Sequence, residues 1–134
     1  MAATFFSGFK DQGSALNYLL DKIYAGFQMQ SSICVVLKDE EHCAEFKRGQ
    51  KQKYFENAKI EYLYDDNIAF ISEQPAGHYD EVHILSDKVL ELPLNVCDNI
   101  FVYTTSADEE INKASRTLYA NLKKNNIELN HKAI

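Results

Sequence analysis

The sequence predicts an α/β fold, a mostly parallel sheet flanked by helices, on three observations. Its apolar residues switch repeatedly between a period of two and a period near 3.6, the sign of strands alternating with helices. One stretch, "SICVVLK" from Ser32 to Lys38, is β-branched and nearly all apolar, as in a strand covered on both faces. At 134 residues and 46% apolar content, the chain can build one real core but not two domains with a cleft between them, so residues 1–134 read as a single domain.

Taken in order, "ATFFSGF" (Ala3 to Phe9) reads as the first strand. From Ser14, the apolar positions Leu16, Leu19, Leu20, Ile23, Tyr24 and Phe27 recur at helical spacing, and Gly26 with the polar run Gln28 to Ser32 is expected to end that helix. The buried strand Ser32 to Lys38 follows. Asp39 then opens a more polar helix with Cys43, Phe46 and Tyr54 inward and Lys47, Arg48, Lys51 and Lys53 outward, weakened at Gly49. "KIEYLY" and "NIAFIS" flank the turn-forming Asp65, Asp66 and Asn67, which predicts a hairpin, and Pro75 and Gly77 mark a loop. "EVHILS" (Glu81 to Ser86) and "NIFVYTT" (Asn99 to Thr105) are further strands. Pro93 makes a long helix improbable in the crossover "DKVLELPLNVCD" between them.

The last helix has the clearest start signal, Ser106 followed by Glu109 in a capping box. Acids Asp108 to Glu110 lie at its positive end, and Lys123 and Lys124 at its negative end. At 100° per residue, Ile111, Ala114, Leu118 and Leu122 form a stripe for the sheet, with Ser115 at its edge. Asn112, Arg116, Tyr119 and Lys123 form a second stripe. It carries a guanidinium, a phenol and an ammonium in consecutive turns, a set suited to a carboxylate beside an aromatic or apolar group.

Charge and cysteines limit the function classes. A net charge of −6 argues against tight, sequence-indifferent binding of nucleic acid, which depends on cations neutralising phosphates. Arginine occurs twice, at positions 48 and 116, so each is a separate question. No apolar run approaches the roughly 20 residues of a membrane span, and "MAATFFSGFK" lacks the features of a secretory signal, so a cytoplasmic protein without a membrane partner is expected. Cys34, Cys43 and Cys97 are odd in number and irregularly spaced, which suits reduced packing thiols.

From Tyr79 onward the chain resembles the C-terminal half of the chi subunit of bacterial DNA polymerase III holoenzyme. The shared features are a strand such as "EVHILS", a linker, an apolar strand ending in a short acidic turn, a helix with Ala-x-Arg-x-x-Tyr (Ala114, Arg116, Tyr119), and the ending "NNIELN" from Asn125 to Asn130. The opening "ATFF", its helix, the strand "CVVL" and an acidic entry to the next helix extend the resemblance over most of the chain. It implies a Rossmann-like fold without a nucleotide or other cofactor. It also implies a psi subunit as partner in the clamp loader, and a site for the acidic, phenylalanine-ended tail of single-stranded DNA-binding protein. By the same resemblance Arg116 would take the terminal carboxylate, Tyr119 would wall the slot for the terminal phenylalanine, and Lys123 or Lys113 would draw in the upstream aspartates. Where the family has an aromatic-Pro-His segment this chain has "KIEYLYDDN", and Ile60, Tyr62 and Tyr64 are the candidates for the apolar wall.

Enzymatic signals are weaker. Gly8 and Gly13 stand at phosphate-loop spacing, but Ser14 and Ala15 occupy the places of the lysine and the magnesium-binding hydroxyl, so no nucleotide-binding loop is expected. His78 and His83 flank a turn and strand, and His42 beside Cys43 has no matching pair, so no metal site is expected. The adjacent Asp65 and Asp66 suit a turn, and no serine or cysteine can be paired with a histidine from spacing. The expected function is therefore a non-catalytic replication adaptor. The alternatives are a small α/β ligand- or nucleotide-binding enzyme and a generic interaction domain whose partner covers "VLELPL".

Overall fold

A computed structural model describes residues 2–54, 68–91 and 97–134, with 49–54 by backbone alone. In chain order the elements are β1 (Ala2–Phe9), α1 (Gln12–Gln28), β2 (Ile33–Leu37), α2 (Glu40–Tyr54), β3 (Ile68–Ile71), β4 (Tyr79–Leu85), β5 (Cys97–Thr105), α3 (Glu109–Lys124) and β6 (Glu128–Ala133). The strands form one six-stranded sheet in the order β3-β2-β4-β5-β1-β6, parallel at every pairing. This is the predicted α/β architecture. No helix among the described residues is long and apolar enough to cross a membrane.

The sheet has a core on each face. Ala15, Leu19, Leu20 and Ile23 of α1 and Cys43 and Phe46 of α2 pack on Phe6, Ile33, Val35 and Tyr103. On the opposite face Leu118 and Leu122 of α3 pack on Phe5, Val36, Ile84, Ile100 and Val102. All five residues of β2 are buried, as a strand covered on both sides requires. The three cysteines are buried thiols outside any disulfide, and burial pushes the pKa of Cys34 up to about 12 and that of Cys97 up to about 11, so both thiols stay protonated.

Local chemistry sets the helix ends. Asp11 accepts the Ser14 amide at 2.7 Å to cap α1, and Asp39 accepts the His42 amide at 2.8 Å at the start of α2. Gly26 lies inside α1 instead of ending it. A Cβ there would stand 2.2 Å from Glu81 Oε2, so the glycine serves close packing of helix on sheet. The helix ends at Gln28 and is closed by Gln30, with φ of 61°, where the Ser31 amide reaches Gly26 O and the Gln30 amide reaches Phe27 O. The same turn closes α3: Asn126 has φ of 58°, and the Ile127 and Asn126 amides reach Leu122 O and Lys123 O.

One further expectation is corrected, and another falls partly outside the described residues. The cap of α3 is Asp108, not Ser106: the Asp108 carboxylate accepts the Glu110 and Ile111 amides at 3.1 and 3.2 Å, while the Ser106 hydroxyl donates to Phe9 O. Ser106 still belongs to the turn that leaves β5, too early to face the helix end. The strand "NIAFIS" is β3, paired parallel with β2, and the proposed hairpin partner Lys59 to Tyr64 lies outside the described residues. Strand β6 has no counterpart in the sequence prediction. It is an edge strand, mostly exposed, with β1 as its neighbour, so its residues needed no apolar alternation to betray it.

Candidate functional site

Strands β5 and β1 are neighbours whose onward connections run in opposite directions, from β1 through α1 to β2 and from β5 through α3 to β6. The two connections leave to opposite faces of the sheet, α1 to one and α3 to the other, and α/β sheets commonly bind ligands beyond the carboxyl ends of their strands. Here a cleft of about 460 Å³ opens at that place, between α3, the end of β1 and His131 of β6. Its size suits a small molecule or one bulky side chain with its flanking backbone.

The walls are apolar and the cationic groups few. Two successive aromatic residues in a strand point to opposite faces, so Phe6 enters the α1 core while Phe5 faces α3. Tyr119 meets Phe5 edge to face, ring centroids 5.1 Å apart at 73°, yet it stays 38% exposed and lines the cleft. Arg116, one turn earlier on α3, lines the same cleft and is exposed. Its side chain has no hydrogen bond or ion pair among the described residues, and neither has that of Lys10 at the mouth. The other polar groups are already engaged. Asn112 Oδ1 accepts the Thr105 amide at 3.1 Å, the Ser115 hydroxyl donates to Asn112 O, and the Thr104 hydroxyl donates to Phe6 O.

The sequence-predicted residues divide three ways. Arg116 and Tyr119 are together on the cleft. Lys113 and Lys123 are exposed on α3, one turn before Arg116 and one turn after Tyr119, outside the cleft wall. Ile60, Tyr62 and Tyr64 lie outside the described residues. An apolar wall is supplied by Phe5 and Phe9. The signal for Phe5 was the double aromatic in the first strand, which must send one ring to each face of a covered sheet.

One further arrangement was illegible from spacing. Ser7 Oγ and His131 Nε2, from neighbouring strands, are 2.9 Å apart on the cleft. Among the described residues His131 meets no carboxylate, so the pair lacks the third group that orients a catalytic imidazole. In the Gly8 to Ala15 segment, the Asp11 carboxylate holds the Ser14 amide at the start of α1, where a phosphate loop would present free amides to a phosphate. Gly8 has φ of +91°, and a Cβ there would stand 2.7 Å from Ile134 O, so its role is the close approach of β1 to the end of β6.

An ion pair stands beside the cleft. Lys38, following β2, reaches Asp108 at 3.3 Å, and this contact holds the ammonium above its ordinary pKa. Burial pushes Asp108 up, but the Ile111 and Glu110 amides and the Lys38 ammonium outweigh it and hold the carboxyl below its usual range.

No protein-family model matches the chain, and no curated protein matches it. Among solved structures, a chain from S. cerevisiae, dbp5 bound to nup159, gle1, IP6 and ADP, superposes with a TM-score of 0.60 at 8% sequence identity. The match covers 99% of this chain and 42% of that one, so the chain spans less than half the neighbour's length. The likeness is one of fold: this chain shares its α/β architecture, a six-stranded parallel sheet flanked by helices, with a RecA-like domain.

Proposed function

We propose that this chain is a non-catalytic adaptor of DNA replication that holds the acidic, phenylalanine-ended tail of single-stranded DNA-binding protein in the cleft at α3. The observation that carries the reading is Arg116, a guanidinium with no described partner, on an apolar cleft walled by Phe5, Phe9 and Tyr119. A chain terminus offers a carboxylate beside its last side chain. Arg116 takes the carboxylate through two parallel N–H donors, and the cleft takes the aromatic ring. Lys113 and Lys123 flank this point along α3 and meet acids further up the tail. A clamp-loader psi subunit is the second partner of the proposal, on the strength of the sequence resemblance.

The test is a titration with a labelled peptide of the last residues of that tail, beside one lacking the terminal phenylalanine. Binding is expected for the first and not the second. Arg116→Ala should weaken it by about 10- to 100-fold, the ~1.5–3 kcal/mol of a lost charged hydrogen bond. Arg48→Ala should leave it unchanged, and equal losses in the two variants would sink the assignment.

A second reading, a small-molecule or nucleotide-binding enzyme, has one observation in its favour: the cleft lies where α/β sheets bind ligands. Its test is the melting temperature. A nucleotide present at about 100 times its Kd would stabilise the fold by ~2.7 kcal/mol, whereas the adaptor expects no shift.

A further inference from the structure

At the opposite end of the sheet from the cleft, three residues with no part in the proposed adaptor site come together. His78 stands just before β4, Asp80 is the second residue of β4, and Asp98 is the second residue of β5. One ligating atom of each lies within 4.8 Å of the others, and His78 Nε2 is 3.8 Å from Asp98 Oδ2. The register explains the meeting. Tyr79 is level with Cys97 and Glu81 with Asn99, so the intervening Asp80 and Asp98 stand opposite each other on neighbouring strands.

Like charges directly opposite in a sheet are destabilising. Neither aspartate meets a lysine or arginine among the described residues, so the repulsion is not relieved from that side. Asp80 is also held in place. Its amide donates to Ser32 Oγ at 3.0 Å, and its Oδ2 accepts the Ser32 amide at 2.8 Å, which leaves Oδ1 outside that pair. An anchored carboxylate with an imidazole and a second carboxylate already within 4.8 Å of it is a partly gathered set of cation ligands.

We propose that His78, Asp80 and Asp98 bind a divalent cation of the zinc class. One imidazole nitrogen and two carboxylate oxygens are ligands that Zn²⁺ accepts at about 2.0–2.2 Å, with water completing the shell. The three donor atoms, within 4.8 Å of one another, are near enough to share one ion between them. The imidazole favours zinc over magnesium or calcium, which take oxygen ligands. The ion neutralises the opposed aspartates and clamps the starts of β4 and β5, while the water position stays open to a partner's group.

Calorimetric titration of the whole chain with Zn²⁺, beside thermal unfolding with and without the ion, tests the proposal. Expected are one saturable site per chain and a raised Tm. His78→Gln and Asp98→Asn, each altering an exposed side chain, should each weaken binding by about tenfold or more and abolish the rise in Tm. Three results would overturn it: no saturable binding up to about 1 mM, binding unchanged in both variants, or a response to Mg²⁺ or Ca²⁺ but not to Zn²⁺. Loss of the tail-binding function would leave this result untouched, since the two sites share no residue.

Discussion

His83 shows how burial decides the behaviour of a single side chain. It is fully buried in β4, stacked on Phe101 at 4.8 Å, with Nδ1 2.7 Å from the Tyr103 hydroxyl. Nε2 has no closer described partner than Glu81 Oε1, at 3.5 Å, with Lys22 of α1 the nearby cation. Burial lowers its pKa below 6.5, against the pull of Glu81. Below that pH the unfolded chain binds a proton that the folded chain resists. The stabilisation by neutral His83 is therefore complete above about pH 6.5 and is lost as pH falls, at up to ~1.4 kcal/mol per pH unit. Urea unfolding between pH 5 and 7 should reveal this slope, and the double variant His83→Phe/Tyr103→Phe should flatten it. An unchanged slope would assign the effect to other groups. The sequence placed His83 in a strand without saying which face it takes, because its partners come from the β4 and β5 register and could not be read from spacing.

At the scale of elements, α3 both holds up the sheet and carries the candidate site. Its buried stripe of Ile111, Ala114, Ser115, Leu118 and Leu122 was legible because helical geometry alone fixes which residues share a face. Its start was not. Ser106 and Asp108 are both good caps by type, and the choice fell to Asp108 because the turn out of β5 aims that carboxylate at the helix amides and at Lys38. Asp108→Ala should cost about 1–2 kcal/mol in urea unfolding, the usual loss of a cap. Asp108→Asn keeps an acceptor for the amides and should cost only the partly exposed ion pair, about 0–1 kcal/mol. If the asparagine variant proves as unstable as the alanine variant, the pair with Lys38 carries more than the cap.

For the whole molecule, topology is the controlling fact. Placing β1 between β5 and β6 brings the end of the first strand under the last helix, residues more than 100 apart in sequence. That single arrangement builds the cleft, surrounding Arg116 and Tyr119 with Phe5 and Phe9. The parallel pairing of β4 with β5 separately sets Asp80 beside Asp98 at the other end of the sheet, at the start of the strands. On a chain of net charge −6, the proposed acidic tail would be drawn to local cationic points such as those on and beside this cleft.

The sequence by itself determined the alternation of strands and helices, the strand buried on both faces, the inward stripes of the helices and the shared face of Arg116 and Tyr119. Each of these follows from local periodicity and side-chain type. Tertiary structure decided the strand order, the sixth strand, the Phe5 and Phe9 walls, the Ser7–His131 contact and the gathering of His78 with two aspartates. All of these depend on which strands lie side by side and in what register. That is settled by packing of the whole core, and no local window of sequence contains it.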